Sequence, residues 1–218
     1  MMFQDRAHAA HLLAKALKQY EKGNPLVVAI PRGAVPMAKI IAAELNGELD
    51  IVMTRKLHAP SNPEFAIGAV DETGWTYLAD YARETGATQE YIAGEVAAER
   101  ETMLRRRGQY TPGRAPIEAE RRIVIVVDDG LATGATMIAA LHSMRARNPQ
   151  RLICAVPVAS PEAIERVRPY ADEVVCLETP DFFYAVSQFY RIFGQVEDDK
   201  VIELLRSSPE AKREKQPA

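Results

Sequence analysis

Two adjacent carboxylates, Asp128 and Asp129, follow five consecutive aliphatic residues in the stretch IVIVVDDGLATGATM, which covers residues 123–137. An aliphatic run without polar alternation is typical of a buried strand in a parallel sheet. Such a strand ends at the carboxyl edge, where ligands bind in open α/β folds. At a strand end, both carboxylates can turn toward one ligand, where they could accept hydrogen bonds from its hydroxyl groups or bind a metal ion.

The loop after the carboxylates consists of small residues that suit a phosphate group. Gly130 and Gly134 let a ligand approach the backbone closely, and Thr133 and Thr136 add hydroxyl donors. The next residues have helical spacing, so a helix N-terminus would present free N–H groups and a partial positive charge. A sugar phosphate has both the hydroxyls and the phosphate that this stretch could bind. The alternative is an ordinary strand, turn and helix capped by Thr133, and the lysine of a Walker loop is missing.

The elements that must position these residues alternate between strands and helices. Repeated units of this kind predict an α/β fold with a doubly wound parallel sheet. The predicted strands cover residues 26–30, 50–54, 123–127, 151–158 and 173–177, and the predicted helices cover 5–22, 34–46, 88–108, 135–147 and 161–167. Residues 55–65 contain two prolines and no periodicity, which predicts a loop. The residues 66–70 and 75–79 flank a DETG turn, which favours an antiparallel hairpin.

The composition suits a single globular domain over residues 1–206, and the polar end, residues 207–218, predicts a disordered tail. The formal net charge is −3, which gives no support to nucleic-acid binding. No apolar run reaches membrane-spanning length and the first residues lack a signal-peptide pattern, so we expect a cytoplasmic protein with no membrane partner. Cys154 and Cys176 lie inside apolar runs, which predicts reduced core residues.

The stretch VVDDGLATGAT, residues 126–136, closely resembles the signature with which type I phosphoribosyltransferases bind phosphoribosyl pyrophosphate (PRPP). The resemblance implies their α/β fold with a flexible-loop or hairpin insertion and a small hood, here about residues 178–206, with the N-terminal helix as a further candidate part. It implies that Asp128 and Asp129 hold the ribose hydroxyls. It also implies Mg²⁺, bound mainly through PRPP with these two carboxylates nearby. The residues implied to hold the 5′-phosphate are Ala132, Thr133, Gly134, Ala135 and Thr136.

Two other stretches carry cations that suit the pyrophosphate group. In VVAIPRGAVPMA, residues 27–38, Arg32 can make paired contacts to phosphate and Gly33 frees the backbone; a structural turn with a solvated arginine is the alternative. This stretch resembles the pyrophosphate loop of the family, which often contains a non-proline cis peptide, here expected at Arg32–Gly33. Arg55 and Lys56 stand where a basic residue contacts pyrophosphate in several family members, before a loop that would close over the reaction.

The aromatic segment ETPDFFYAVSQFYRIFG, residues 178–194, offers a wall for a flat acceptor. Phe182 and Phe183 begin a stretch similar to a segment of hypoxanthine-guanine phosphoribosyltransferases that stacks on the purine. Ser187 and Tyr190 depart from that pattern, so a purine acceptor is not implied. The alternative is that these rings fill the core of the hood. The R-K-L and F-Y-A-V runs resemble a bacterial subgroup without an assigned acceptor.

The basic run Arg105, Arg106 and Arg107 near the end of a predicted helix is typical of a solvated face, with an oligomer contact or a second anion site as alternatives.

The resemblance implies an enzyme of nucleotide metabolism, expected to be a homodimer, with PRPP and a small-molecule acceptor as partners. It would transfer the 5-phosphoribosyl group from PRPP to a nitrogenous, nucleobase-like acceptor and release pyrophosphate, with Asp128, Asp129, Lys56 and Arg32 as catalytic residues. One alternative is a PRPP- or nucleotide-sensing regulatory protein on the same fold. Another is a hydrolase or phosphorylase of a phosphorylated sugar, but the sequence offers no committed general acid or base with a partner.

Overall fold

Strand–helix units follow one another through the computed structural model, which describes residues 2–207. The predicted tail, residues 207–218, lies outside the described residues except for Ser207. The strands are β1 Leu26–Ala29, β2 Glu48–Ile51, β3 Thr54–Ala59, β4 Asn62–Asp71, β5 Thr76–Leu78, β6 Ile123–Val127, β7 Arg151–Val158 and β8 Glu173–Glu178. The α-helices are α1 Arg6–Ala16, α2 Val35–Glu44, α3 Gln89–Tyr110, α4 Ala135–Arg145, α5 Pro161–Val167 and α6 Asp198–Arg206.

Five strands form a parallel sheet in the order β2-β1-β6-β7-β8, which confirms the predicted doubly wound architecture. One face packs against α1 and α2 through residues such as Val27 and Ile125, and the other packs against α4 and α5 through Val28 and Val126. The chain runs outward from β1 to β2 and later returns to β6 on the other side of β1. The sheet therefore has its switch point between β1 and β6, where open α/β folds bind ligands.

The predicted loop over residues 55–65 is wrong, because β3 and the first part of β4 form an antiparallel hairpin there. The two prolines do not break the pairing: Pro60 lies in the turn, and Pro63 lies where the register of the hairpin shifts. Buried Leu57 and Ala59 on β3 anchor the hairpin to the core. The predicted hairpin that follows is confirmed, so β3, β4 and β5 form a separate three-stranded sheet.

Other elements differ from the sequence prediction mainly at their ends. Helix α1 stops at Ala16, and a 3₁₀ helix, Lys18–Gly23, forms the rest of the segment for which the sequence predicts one helix over residues 5–22. Both cysteines are free thiols; Cys154 is buried, as the sequence predicts, whereas Cys176 is only half-buried. Within residues 2–207, none of the helices combines the length and the apolar character that crossing a membrane requires.

The hood, residues 178–206, is joined to the N-terminus of the chain. The backbone of Phe3 donates from its N–H to the carbonyl of Phe189 at 2.8 Å and accepts from the N–H of Arg191 at 2.9 Å. The ring of Phe3 packs against that of Tyr190, with 5.3 Å between the centroids. Helix α6 completes the hood and is tied to α3, because the hydroxyl of Tyr110 donates to Asp198.

The three-stranded sheet is fastened to the rest of the molecule by buried polar contacts. Arg107 of α3 donates to both carboxylate oxygens of Glu72 and, at 2.9 Å, to the carbonyl of Ile51 in β2. On the other side, the fully buried carboxylate of Asp71 lies 3.1 Å from Nδ1 of His142 in α4. Arg107 is thus a structural contact, whereas Arg105 lies on the exposed face that the basic run predicts.

We expect Arg107→Met to destabilise the fold and Arg105→Met to have little effect. The first change leaves the mostly buried carboxylate of Glu72 without its cation, which costs about 2–3 kcal/mol of unfolding free energy. The second removes an exposed charge from the same helix and should change that energy by less than about 0.5 kcal/mol. Urea denaturation of the two variants measures the difference. Equal stabilities would contradict the assignment of Arg107 as a structural contact.

Candidate functional site

The loops after β1 and β6 meet at the switch point of the parallel sheet. Ile30 extends the pairing of these strands by donating from its N–H to the carbonyl of Val127 at 3.1 Å. A side-chain Cβ at Gly33 would clash with Oδ2 of Asp129, so only glycine lets the two loops come this close. The predicted position of a cis peptide is wrong by one bond, because the cis peptide joins Pro31 and Arg32. Neither of these neighbouring bonds precedes a proline, so residue type does not distinguish them.

The two adjacent carboxylates have different surroundings. Oδ2 of Asp129 accepts from Nε and Nη2 of Arg6 at 2.9 and 2.8 Å. Oδ1 of Asp128 accepts only from a neutral group, the backbone N–H of Asp129, at 2.9 Å, among the contacts in the described part of the chain. Ionisation is therefore easier for Asp129, which has a cation beside it, than for Asp128.

The electrostatics of the pair follow from this difference. Burial, reinforced by the charge of Asp129, raises the pKa of Asp128 well above its ordinary value, and the positive charges of Lys56 and Arg6 only partly oppose the rise. Burial also raises the pKa of Asp129, against the opposing contacts from Arg6. A ligand that donates hydrogen bonds from neighbouring hydroxyl groups would relieve the cost of ionising both carboxylates.

The small-residue loop is held by hydrogen bonds to the end of β7 and to the residue that caps α5. Leu131 donates from its N–H to the carbonyl of Val158 at 2.9 Å, and Oγ of Ser160 donates to the carbonyl of Ala132 at 3.0 Å. Gly134 has a φ of 81°, a conformation that favours glycine, and α4 begins at the next residue. The first N–H groups of α4 have no partner within the helix, so the loop can bind an anion there. Ala132 and Thr133 are exposed at its mouth.

The predicted cations are only partly gathered at this edge. Lys56 is exposed on β3, and its positive charge acts to lower the pKa of Asp128, against the larger effect of burial. Arg55 is turned away, because adjacent strand residues point to opposite faces and its Nε donates to Glu99 of α3 at 2.7 Å. Arg32 lies between the site and the hood, with Nη1 3.7 Å from Glu197 and 3.6 Å from Asp198.

The two phenylalanines predicted to face an acceptor have separate environments. Phe182 is 78% exposed, whereas Phe183 packs against Phe189 with 5.2 Å between their ring centroids. The side chain of Gln188 fixes this segment by donating to the carbonyl of Phe182 at 3.2 Å and accepting from two backbone N–H groups. Val186 packs against Gly130, close enough that a Cβ at that glycine would clash with it. The hood therefore lies directly against the loop that follows the carboxylates.

Sequence reasoning missed two residues that touch the carboxylate pair. Arg6 belongs to α1 and is 123 positions away from Asp129 in the chain. Tyr190 of the hood donates from its hydroxyl to the backbone carbonyl of Asp129 at 2.7 Å. A lone arginine in the first turn of an N-terminal helix has the same local pattern as a solvated one, so no local signal could have identified it.

Comparisons with known proteins identify the family to which the chain is related. A family model described as "Phosphoribosyl transferase domain" matches residues 3–192. Two curated proteins from Mycobacterium tuberculosis, strains CDC 1551 / Oshkosh and ATCC 25618 / H37Rv, are each named "Putative phosphoribosyl transferase" and are 40% identical over 207 residues. The match covers 94% of this chain and 46% of each relative, so the chain spans about half the length of these relatives. The crystal structure of TT1426 from Thermus thermophilus is 46% identical with a TM-score of 0.79, covering 94% of this chain and 98% of that one.

We expect Asp128→Asn to stabilise the protein at pH 8 and Asp129→Asn to be the less stable of the two variants. Because the pKa of Asp128 is raised in the folded state, the folded protein loses stability as pH rises through that pKa. A neutral asparagine avoids this loss, so the melting temperature should rise, by an amount that shrinks as pH falls toward about 4. The pKa of Asp129 is raised as well, but Asp129→Asn also removes the ion pair with Arg6, worth about 1.5–3 kcal/mol, so this variant should be less stable than Asp128→Asn. Thermal melts across this pH range measure both variants. Destabilisation by both at pH 8 would contradict the raised pKa of Asp128.

Proposed function

This chain belongs to the phosphoribosyl transferase family, and on that premise we propose that it transfers the 5-phosphoribosyl group from PRPP to a nitrogenous acceptor. The reaction would depend on Mg²⁺, release pyrophosphate and use a nucleobase-like acceptor. Its place in nucleotide metabolism, a homodimeric state and a cytoplasmic location belong to the same proposal. Because the chain spans only about half of its curated relatives, the proposal concerns this domain.

The observation that carries the proposal is the meeting of three kinds of group at one edge of the sheet. The carboxylates Asp128 and Asp129 would accept from the ribose hydroxyls, and the neighbouring loop would donate backbone N–H groups to the 5′-phosphate. Gly33 lies against Asp129, so a pyrophosphate on C1′ would extend from the ribose toward the loop that contains Arg32. The loop residues proposed for the 5′-phosphate are Ala132, Thr133, Gly134, Ala135 and Thr136.

The chemistry needs positioned charges rather than a protein nucleophile. A lone pair of the acceptor nitrogen forms the bond to C1′, while the bond between C1′ and the pyrophosphate oxygen breaks with its electrons on oxygen. The nitrogen then loses its proton to solvent or to the departing pyrophosphate. Arg32 and Lys56 would stabilise the negative charge that develops on the leaving group. Arg55 is not retained in this set, since its guanidinium is held by Glu99.

The donor set fits a Mg²⁺ ion that substrate oxygens hold. Mg²⁺ usually binds through one or two carboxylates together with phosphates and water, and oxygen donors of this kind are what Asp128 and Asp129 offer. Within residues 2–207, no cluster of three or more His, Cys, Asp or Glu residues is arranged to bind a metal by itself. When bound, the ion would neutralise charge on the pyrophosphate, and the two carboxylates would orient it through PRPP and water.

We expect pyrophosphate release from PRPP and Mg²⁺ that depends on an added acceptor, tested with a panel of nucleobases in a coupled assay. Lys56→Met and Arg32→Met should weaken PRPP binding by roughly 10- to 150-fold, the value of a charged hydrogen bond, and leave ribose 5-phosphate nearly unaffected because it lacks the pyrophosphate. Calorimetry gives both affinities.

Lys18→Met, which removes an exposed lysine from the 3₁₀ helix after α1, serves as the control for loss of charge. Equal losses for PRPP and ribose 5-phosphate would show that Lys56 and Arg32 do not bind the pyrophosphate. Tight PRPP binding without pyrophosphate release for any acceptor would favour the alternative from the sequence, a PRPP-sensing regulatory protein.

We propose Phe182, rather than Phe183, as a wall of the acceptor site. Its ring is mostly exposed on the hood, which contacts the loop that follows the carboxylates through Val186, and stacking on a flat heteroaromatic acceptor would bury it. Phe182→Ala should then raise the KM of the acceptor by about two- to twelve-fold with unchanged melting temperature. Phe183→Ala should instead lower the stability, because that ring packs inside the hood. Kinetics and thermal melts on both variants measure this, and an unchanged acceptor KM in Phe182→Ala would exclude that wall.

A further inference from the structure

The guanidinium of Arg6 is held on several sides at once. Its Nε and Nη2 donate to Oδ2 of Asp129, and its Nη1 donates to the backbone carbonyl of Gly194 at 2.6 Å. The plane of the Phe193 ring lies beside it, with 3.8 Å from Cζ to the ring centroid. Only 14% of the side chain is exposed. Arg6 therefore joins α1, the hood and the carboxylate pair through one rigid group.

These contacts determine which part of Asp129 can meet a ligand. Oδ2 is closed off, because Arg6 donates to it twice and Gly33 lies against it. The backbone of the same residue is fixed from the hood by the hydroxyl of Tyr190. Asp129 is thus held both at one carboxylate oxygen and at its backbone carbonyl. These contacts set the direction of the other carboxylate oxygen, Oδ1, before any ligand binds.

We propose that Arg6 is a positioning residue for the ribose subsite, which acts through Asp129 and does not touch the substrate. It fixes the carboxylate so that Oδ1 is directed at a ribose hydroxyl, and it couples this orientation to the docking of the hood. The inference rests on the proposed function, since it assumes that Asp129 accepts from ribose. The two carboxylates would then have different roles. Asp129 is oriented by Arg6, whereas Asp128 would receive its further hydrogen bonds from the ligand.

The competing explanation is that Arg6 only fastens the hood to the core. A fastening role would weaken every ligand of the site to the same extent when Arg6 is removed. A positioning role would weaken only ligands that carry the ribose hydroxyls, and only while Asp129 is present. The two explanations therefore differ in ligand preference and in the coupling between the two residues.

The test compares ribose 5-phosphate with its 2,3-dideoxy analogue by calorimetry on the full chain. The variants are Arg6→Met, Asp129→Asn and the double variant. In Arg6→Met, binding of ribose 5-phosphate should weaken about ten-fold and binding of the dideoxy analogue less than about two-fold. The double variant should bind ribose 5-phosphate no more weakly than Asp129→Asn alone, because the effect of Arg6 passes through that carboxylate.

Two further variants keep the test decisive if Arg6→Met folds poorly. Arg6→Lys keeps the charge and one donor, so it should show a smaller loss for ribose 5-phosphate and none for the dideoxy analogue. Tyr190→Phe removes a hood contact to the backbone of Asp129 and leaves both bonds from Arg6 to its carboxylate, so the preference for ribose should fall by less than in Arg6→Met. Thermal melts confirm that each variant is folded at the temperature of the titration.

An equal loss for both ligands in Arg6→Met and in Arg6→Lys would overturn the inference, as would an additive double variant. In either case wild-type binding of PRPP would leave the proposed function intact. If the wild-type protein binds neither PRPP nor ribose 5-phosphate, the proposed function itself fails, and the inference fails with it.

Discussion

The placement of two adjacent carboxylates at a buried sheet edge is the constraint on which the site depends. Burial disfavours the ionised form of each, and their mutual repulsion adds to the cost. Without nearby cations, a buried strand end would raise the pKa of both carboxylates further. Arg6 and Lys56 supply the opposing charge, and the two come from α1 and β3, which lie outside the parallel sheet. The N-terminal helix and the three-stranded insertion are therefore part of the electrostatics of the site as well as of the packing.

This dependence explains why the peripheral elements are fastened by buried polar contacts. Hydrophobic packing tolerates small shifts, but the effect of a cation on a buried carboxylate depends on the distance between the two charges. The insertion that carries Lys56 is fixed by Arg107 on one side and by Asp71 with His142 on the other. His142 is itself held by stacking on Trp75, with 3.8 Å between the centroids. The hood is likewise fixed through Arg6 and Tyr190.

The sequence was sufficient for the parts of the structure that local patterns determine. A continuous aliphatic run followed by acidic and small residues specifies a buried strand, its end and the start of α4, because each follows from local propensity and burial. The first hairpin of the insertion was missed because its prolines sit at a turn and a register shift, where they cost nothing. The contact between Arg6 and Asp129 depends on how distant segments pack, and neither residue type nor spacing encodes that. The proposed roles of the site residues stay predictions.

The charge distribution around the site bears on how a polyanionic substrate could enter it under the proposed function. The charged groups of the edge are the carboxylates of Asp128, Asp129, Glu197 and Asp198 and the cations of Arg6, Arg32 and Lys56. Arg6 is paired with Asp129, and Arg32 lies near two acidic residues of the hood, so these groups together carry no excess of positive charge. Pyrophosphate would have to compete with those acids for Arg32, and it would bring several negative charges of its own. A divalent cation bound to PRPP would reduce this imbalance by neutralising part of the pyrophosphate charge, which Arg32 and Lys56 would otherwise have to offset alone. The same balance would give a reason for the proposed dependence on Mg²⁺ without requiring the protein to hold the ion by itself.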